Sequence, residues 1–165
     1  MTIIQDESFF HYETKIKKVL AVRGSKPRAI VTGSKKRLCV IGSLTNAGKQ
    51  YYRVIERCRS AEFIAYIKGL HKKFGKIILI IDKAPWHTSK VVKQYFEEHK
   101  GSIKIEWLPT GCPELNPLEE TWRQGKNDDA LGAKWHDNYL SFKTNLSTYY
   151  RTRRFNLSLS HYLGD

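Results

Sequence analysis

The strongest structural signal in the chain is the stretch Lys76–Asp82, KIILIID, which places five consecutive aliphatic residues between a lysine and an acid. A short, continuous apolar run of this kind is typical of a central β-strand that is covered on both faces. The sequence before it predicts a helix that is capped by Ser60 and terminated by Gly75. A helix at about Thr88 to Lys100 and a strand at Ile103 to Trp107 are predicted after it.

The rest of the chain supplies three further strands and two further helices. The strands are a short one at Thr2 to Gln5 and a hairpin formed by Arg37 to Leu44 and Gln50 to Ile55. The helices are predicted at about Pro117 to Lys126 and Trp135 to Arg153. This order, rich in strands first and in alternating helices and strands afterwards, predicts a single α/β domain with a mixed five-stranded sheet flanked by helices.

The composition points to a polyanionic partner. The chain has 165 residues, with 29 Lys and Arg against 16 Asp and Glu, for a net charge of +13. Such an excess favours nucleic acid, whose phosphates bind cations without regard to sequence, although a merely basic soluble protein would look the same. Six of the bases fall in the segment from Arg23 to Arg37, here called the basic loop.

Neither a disulfide framework, a metal-binding cysteine pattern nor a membrane anchor is indicated. Cys39, Cys58 and Cys112 are far apart and fit no ligand spacing. The chain starts without a basic, apolar leader, and its longest strongly apolar run is far too short to cross a bilayer. We therefore expect a cytoplasmic protein.

Asp82 is the first candidate for chemistry. In open α/β sheets, ligands bind beyond the carboxyl ends of the strands, and Asp82 directly follows the buried run. The alternative is that Asp82 only forms a turn or caps the next segment. Asp6 is less conspicuous, since acids at strand ends are common.

The segment Leu108–Gln124, LPTGCPELNPLEETWRQ, contains three glutamates. Asn116 as N-cap with Glu119 at the third helical position forms an asparagine version of the capping box, so Glu119 could simply cap the helix. Glu120 would face about 100° away around the helix. Spacing alone leaves cap and catalyst both open for Glu119.

Four segments in order resemble the catalytic domain of transposases of the IS630 and Tc1/mariner superfamily, the DDE superfamily endonucleases. They are QDESFF at 5–10, GSKPRAIVTGSKKRLCVIGSL at 24–44, IIDKAPWHTSK at 80–90 and LPTGCPELNPLEETWRQGK at 108–126. The resemblance covers nearly the whole chain, and its P-E-L-N-P-hydrophobic-E motif is highly specific.

The resemblance implies an RNase H-like fold and a triad of acids that holds two Mg²⁺ or Mn²⁺ ions. Asp6, Asp82 and Glu119 match the three acids, with 36 residues between the second and the third, whereas Glu114 matches the turn before the helix. Two such ions, about 3.5–4 Å apart, can activate the attacking oxygen and stabilise the leaving oxygen of a phosphodiester. Hard carboxylate oxygens are the ligands that Mg²⁺ prefers.

Other residues are candidates for supporting roles. His87, Glu120 and Trp122 could act from just outside the metal site, although His87 is equally well explained as structural and Trp122 as packing. Lys83 stands where relatives often have asparagine, which adds a cation beside the site. Candidate DNA contacts are Arg23, Lys26, Arg28, Lys35, Lys36, Arg37, Lys83, Arg151, Arg153 and Arg154. The last three belong to YYRTRRF, which could equally be a solvated helix end.

By the same resemblance, the expected activity is metal-dependent cleavage of double-stranded DNA at transposon ends, followed by transfer of the freed 3′-OH into target DNA, typically at TA. Complete relatives carry an upstream helix-turn-helix domain, and no such region precedes Asp6 here. We therefore expect residues 1–165 to be a catalytic domain alone, associated with the nucleoid, acting as a homodimer on DNA, and possibly with a separately encoded helix-turn-helix partner. The alternatives are an inactive remnant that binds DNA or a partner, and a general RNase H-like nuclease.

Overall fold

A mixed five-stranded sheet forms the centre of the protein. The computed structural model describes residues 1–13, 20–28, 30–31, 33–128, 131 and 135–163. The strands are β1 Thr2–His11, β2 Arg37–Thr45, β3 Gln50–Ile55, β4 Ile77–Ile81 and β5 Ile103–Trp107. They lie in the order β3-β2-β1-β4-β5. Strands β1 to β3 pair antiparallel, whereas β4 runs parallel to both β1 and β5, which confirms the predicted mixed sheet.

Helices cover both faces of this sheet. They are α1 Ser60–Phe74, α2 Lys90–Glu98, α3 Leu118–Asn127, α4 Tyr139–Thr152 and α5 Ser160–Leu163, with a 3-10 helix at Pro113–Leu115. One apolar core joins the sheet to α3 and α4 around Trp122 and Phe142, and the other joins it to α1 and α2 around Phe63. Because side chains alternate along a strand, neighbouring residues of β1 enter different cores.

The prediction that the first strand ends at Gln5 was wrong, because β1 continues to His11. Ile3 to His11 pair with β2, and Thr2 to Ile4 also pair with β4. Gln5, Asp6 and Ser8 are therefore buried although they are polar. Asp6 lies within a long strand rather than at the end of a short one.

Two helix starts also differ from the predictions. Arg59 is the N-cap of α1, and the Ser60 hydroxyl instead bonds to Trp86 O at 3.1 Å. Helix α4 begins at Tyr139 rather than near Trp135, since Asn138 Oδ1 accepts a hydrogen bond from Ser141 N–H at 2.8 Å. The predicted stop at Gly75 is confirmed, with the positive φ of 66° that ends α1.

The described part of the chain contains no helix that is long and apolar enough to span a membrane. The thiols of Cys39, Cys58 and Cys112 are free.

Candidate catalytic site

Asp6 is a buried carboxylate on the face of the sheet that α3 covers. Its Oδ2 accepts a hydrogen bond of 2.7 Å from the indole Nε1–H of Trp122. Burial raises the pKa of Asp6 to about 7, and repulsion from Glu7 and Glu119 adds to this, whereas the Trp122 hydrogen bond opposes it. Asp6 therefore carries its charge at a free-energy cost that a nearby cation would offset.

A close approach between α3 and the sheet fixes the indole of Trp122. Gly42 of β2 is the register partner of Asp6. A Cβ at position 42 would lie 2.7 Å from Trp122 Cη2 and 2.9 Å from the Tyr52 ring, which is closer than side chains tolerate. The glycine thus lets the indole approach the sheet closely enough to reach Asp6, so Trp122 both packs and bonds to the acid.

Asp82 follows β4, at the carboxyl end of the strand. Strands β1 and β4 are parallel neighbours in which Ile4 pairs with Ile80. Continuing this register by two residues brings Asp6 level with Asp82, about one strand spacing apart along the sheet. The two acids come from adjacent strands although 75 residues separate them in the sequence.

His87 holds one oxygen of Asp82. Asp82 Oδ1 lies 2.7 Å from His87 Nδ1 and accepts the Ala84 N–H at 3.0 Å. The His87 hydrogen bond is the main reason that the pKa of Asp82 is lowered. Oδ2 of Asp82 bonds to no described residue, and the side chain is about half exposed. Asp82 is therefore ionised with one oxygen fixed and the other open to a ligand.

The other ring nitrogen of His87 contacts a residue that sequence reasoning missed. His87 Nε2 lies 3.1 Å from Glu7 Oε1, and Gln5 Nε2 donates to the same oxygen at 2.9 Å. Burial lowers the pKa of His87, but the bonds to Asp82 and Glu7 outweigh it and raise the value to about 9. The alternation along β1 could have shown that Glu7 faces the opposite side from Asp6, but only the fold reveals its partner.

Glu119 lies in the first turn of α3 and is not needed as a cap. Asn116 Oδ1 accepts the Leu118 N–H at 3.1 Å. The Asn116 N–H itself donates to Pro113 O at 2.9 Å, so the reciprocal half of a capping box has no donor left. The exposed carboxylate of Glu119 makes no hydrogen bond within the described residues, and its charge contributes to the raised pKa of Asp6.

Glu120 is engaged elsewhere on the same helix. Its carboxylate accepts hydrogen bonds from Arg123 at 2.6 Å and Gln124 at 2.8 Å. The Arg123 bond is the main cause that lowers the pKa of Glu120 to about 2. The structure therefore gives Glu120 partners on the helix surface, and none of its described hydrogen bonds involves Asp6, Asp82 or Glu119.

The donor set suits a hard divalent cation, although it is not gathered into a compact cluster. Asp6, Asp82 and Glu119 offer carboxylate oxygens, the ligands that Mg²⁺ and Mn²⁺ take. In the part of the chain that is described, no three His, Cys, Asp or Glu side chains are grouped so that they could hold an ion. Asp6 and Asp82 are instead hydrogen-bonded to Trp122 and His87, respectively.

The predicted DNA contacts are exposed on the surface. All six lysines and arginines of the basic loop are exposed, as is Lys83. Residues 29 and 32 of the loop lie outside the described residues. Arg37 also stacks on the Phe9 ring at 4.3 Å. Arg151 and Arg154 line a groove of about 430 Å³ between β3 and α4, whereas Arg153 pairs with Asp128 at 3.3 Å.

The fold and the site together define an RNase H-like domain with acids on β1, after β4 and at the start of α3. Residues 2–138 match the DDE superfamily endonuclease family. The chain belongs to this family. No curated protein sequence matches the chain.

Solved structures of transposases share the fold. The chain superposes on the Mos1 transposase in its paired-end complex with the left transposon end, with a TM-score of 0.67 and 20% identity, over 92% of this chain and 48% of that one. The crystal structure of the catalytic domain of the Mos1 mariner transposase gives 0.61 and 17%, over 92% and 70%. A simian T-cell lymphotropic virus intasome in complex with the PP2A regulatory subunit B56 gamma gives 0.51 and 12%, over 92% and 49%. The chain thus spans about half the length of the Mos1 chain in its paired-end complex.

Proposed function

We propose that this chain is the catalytic domain of a DNA transposase of the IS630 and Tc1/mariner type. It cleaves DNA at transposon ends and transfers the 3′-OH into target DNA, at TA dinucleotides. The observation that carries the proposal is the placement of Asp6 on β1 and of Asp82 directly after the adjacent parallel strand β4, with Glu119 close enough to perturb Asp6. Family membership and the likeness to Mos1 complexes with transposon ends support it.

Asp6, Asp82 and Glu119 hold two Mg²⁺ or Mn²⁺ ions in this proposal. Mos1 paired-end complexes have been solved with Mn and with Mg. Burial raises the pKa of Asp6 because it makes the charged carboxylate unfavourable, and a bound cation would offset that cost. The ions would supply Lewis-acid stabilisation of the attacking and leaving oxygens.

The chain's own side chains orient the acids and attract the DNA. Trp122 holds Asp6 and His87 holds Asp82, and the half-exposed Asp82 keeps its second oxygen open to a ligand. The basic loop, Lys83 and the arginines after Tyr150 bind DNA phosphates, and this contribution to affinity does not depend on the DNA sequence. Sequence recognition at the transposon ends would come from a helix-turn-helix domain, and pairing of two ends requires a dimer on DNA.

A second candidate is a domain that keeps the fold and binds DNA without cleaving it. The observation in its favour is that the described side chains include no gathered group of three potential ligands. The two functions differ in whether any metal-dependent product forms.

The decisive assay is nicking and strand transfer on a duplex that carries a transposon end, with Mg²⁺ or Mn²⁺. Wild type is compared with Asp82→Ala, Glu119→Ala and the neighbouring control Glu120→Gln. We expect activity in wild type and in the control, and loss of the metal-dependent product in the two triad variants. Equal activity in all four proteins would refute the triad, and DNA binding without product in any of them would favour the second candidate.

A further inference from the structure

The structure connects the two aspartates through a chain of contacts that crosses from one face of the sheet to the other. Asp6 and Glu7 are consecutive on β1, so their side chains point to opposite faces. Asp6 meets Trp122 in the layer of α3, whereas Glu7 meets His87 in the layer of α1 and α2. His87 then contacts Asp82 at the end of β4.

We infer that Glu7 is a positioning residue that acts through His87 to fix the metal-facing orientation of Asp82. The inference rests on the proposed function, since it needs Asp82 to be a metal ligand. A histidine whose two ring nitrogens contact two carboxylates has its ring orientation set by both. With Glu7 in place, the imidazole presents Nδ1 to Asp82 Oδ1 and leaves Oδ2 for the cation.

Burial makes this arrangement rigid. The side chain of His87 is 0% exposed and that of Glu7 is 3% exposed, against 52% for Asp82. The Phe63 ring lies 4.3 Å from the His87 ring and restricts its movement. Gln5 donates a second hydrogen bond to Glu7 Oε1 and so fixes the carboxylate that sets the ring. The half-exposed carboxylate of Asp82 is therefore held in place by the buried side chains of His87 and Glu7.

Direct coordination by Glu7 is the competing role, and the geometry argues against it. Oε1 of Glu7 already takes two hydrogen bonds within the layer of α1 and α2. The side chain of the candidate ligand Asp6 points instead to the opposite face of the sheet, where it bonds to Trp122 of α3. Loss of the Glu7 charge should then be felt at the metal only when His87 is present to transmit it.

The test is a double-mutant cycle on Mn²⁺ affinity, measured by titration calorimetry on the whole chain without DNA. The single variants are Glu7→Gln, which keeps size and loses charge, and His87→Asn, which keeps a donor near Nδ1 and removes Nε2. Glu62→Gln is the matched control, because Glu62 is an acid in the first turn of α1 whose Oε2 is also buried but has no hydrogen-bond partner among the described groups. Thermal unfolding of each protein confirms that it is folded.

We expect Glu7→Gln to weaken Mn²⁺ binding by about 10-fold, the lower end of the effect of mutating the partner of a metal ligand, because Glu7 acts one contact further out and a neutral amide holds the ring less firmly than a carboxylate. The control should change it by less than about 2-fold, and Glu7→Gln should add less than about 2-fold in the His87→Asn background. Affinity within 2-fold of wild type for Glu7→Gln, or the same loss in both backgrounds, would overturn the inference. If Glu7→Gln does not fold, Glu7→Asp replaces it, since the shorter side chain loses the contact with His87 Nε2.

One further variant separates this inference from the proposed function. Asp82→Asn should abolish the tight Mn²⁺ site. If Asp82→Asn binds Mn²⁺ as wild type does, Asp82 is not a ligand and both proposals fail. If it loses binding while Glu7→Gln does not, only the role of Glu7 is wrong.

Discussion

Replacing Asp6 with asparagine should stabilise the metal-free protein at pH 8. The folded-state pKa of about 7 lies above the ordinary value of 3.8, so between these values the folded protein keeps a proton that the unfolded chain has lost. Stability from this group is therefore full below about pH 4 and falls as the pH rises to about 7. A difference of about 3 in pKa corresponds to about 4 kcal/mol at most.

Asparagine removes this cost and keeps an acceptor for the Trp122 indole. For a domain of this size, about 4 kcal/mol corresponds to a rise of roughly 10 °C in Tm. We expect about half of this rise, because relaxation around the site reduces the cost of the buried charge in wild type. Thermal unfolding by circular dichroism from pH 4 to pH 8.5, with EDTA present, measures the effect. The gain should be near zero at pH 4, grow through pH 6 and level off above pH 8.

The exposed Asp137 offers a matched aspartate-to-asparagine control, for which we expect less than about 2 °C at any pH. Added Mg²⁺ should raise the Tm of wild type at pH 8 and leave that of Asp6→Asn unchanged. A variant less stable than wild type at pH 8, or a difference that does not vary with pH, would refute the reasoning about burial.

Three further predictions follow from the same contacts. Trp122→Phe keeps most of the packing but removes the donor to Asp6, so metal-dependent nicking should fall by about 10-fold or more, and stability by about 1–3 kcal/mol; wild-type nicking would contradict it. Gly42→Ala inserts a methyl group against Trp122 and Tyr52 and should cost about 1–3 kcal/mol in urea unfolding, whereas Gly69→Ala, with open space around it, should not destabilise. Neutralising all six bases of the basic loop should flatten the dependence of log affinity for DNA on log salt, as seen by fluorescence anisotropy; an unchanged slope would exclude the loop from the interface.

The sequence was most informative where one segment determines its own structure. The run Ile77–Ile81 is apolar throughout, and this pattern alone correctly predicts a strand inside the sheet, between β1 and β5. The expectation that both faces are covered was wrong at Ile78, which is exposed. The hairpin of β2 and β3 and the Gly75 helix stop are equally local signals. By contrast, β1 was predicted too short because Gln5, Asp6 and Glu7 look polar, and only pairing with β2 explains why they continue the strand.

The candidate site depends on contacts that cross the whole sequence. The Trp122 indole reaches Asp6 over 116 positions and His87 reaches Glu7 over 80, and neither pairing has a local pattern. The capping-box interpretation of Glu119 was wrong for a similar reason, since the backbone N–H of Asn116 already donates to Pro113 O of the preceding 3-10 turn. Resemblance supplied the identity of the three acids, whereas the fold supplied the groups that hold them.

The central claim is that Asp6, Asp82 and Glu119 share divalent cations. Anomalous scattering from crystals grown with Mn²⁺ tests it most directly, because manganese positions are then located independently of any assay. We expect anomalous peaks within coordination distance of carboxylate oxygens of Asp6, Asp82 and Glu119, and their loss in Asp82→Asn crystals. Ordered Mn²⁺ bound only elsewhere, or peaks that persist unchanged in Asp82→Asn, would contradict the account.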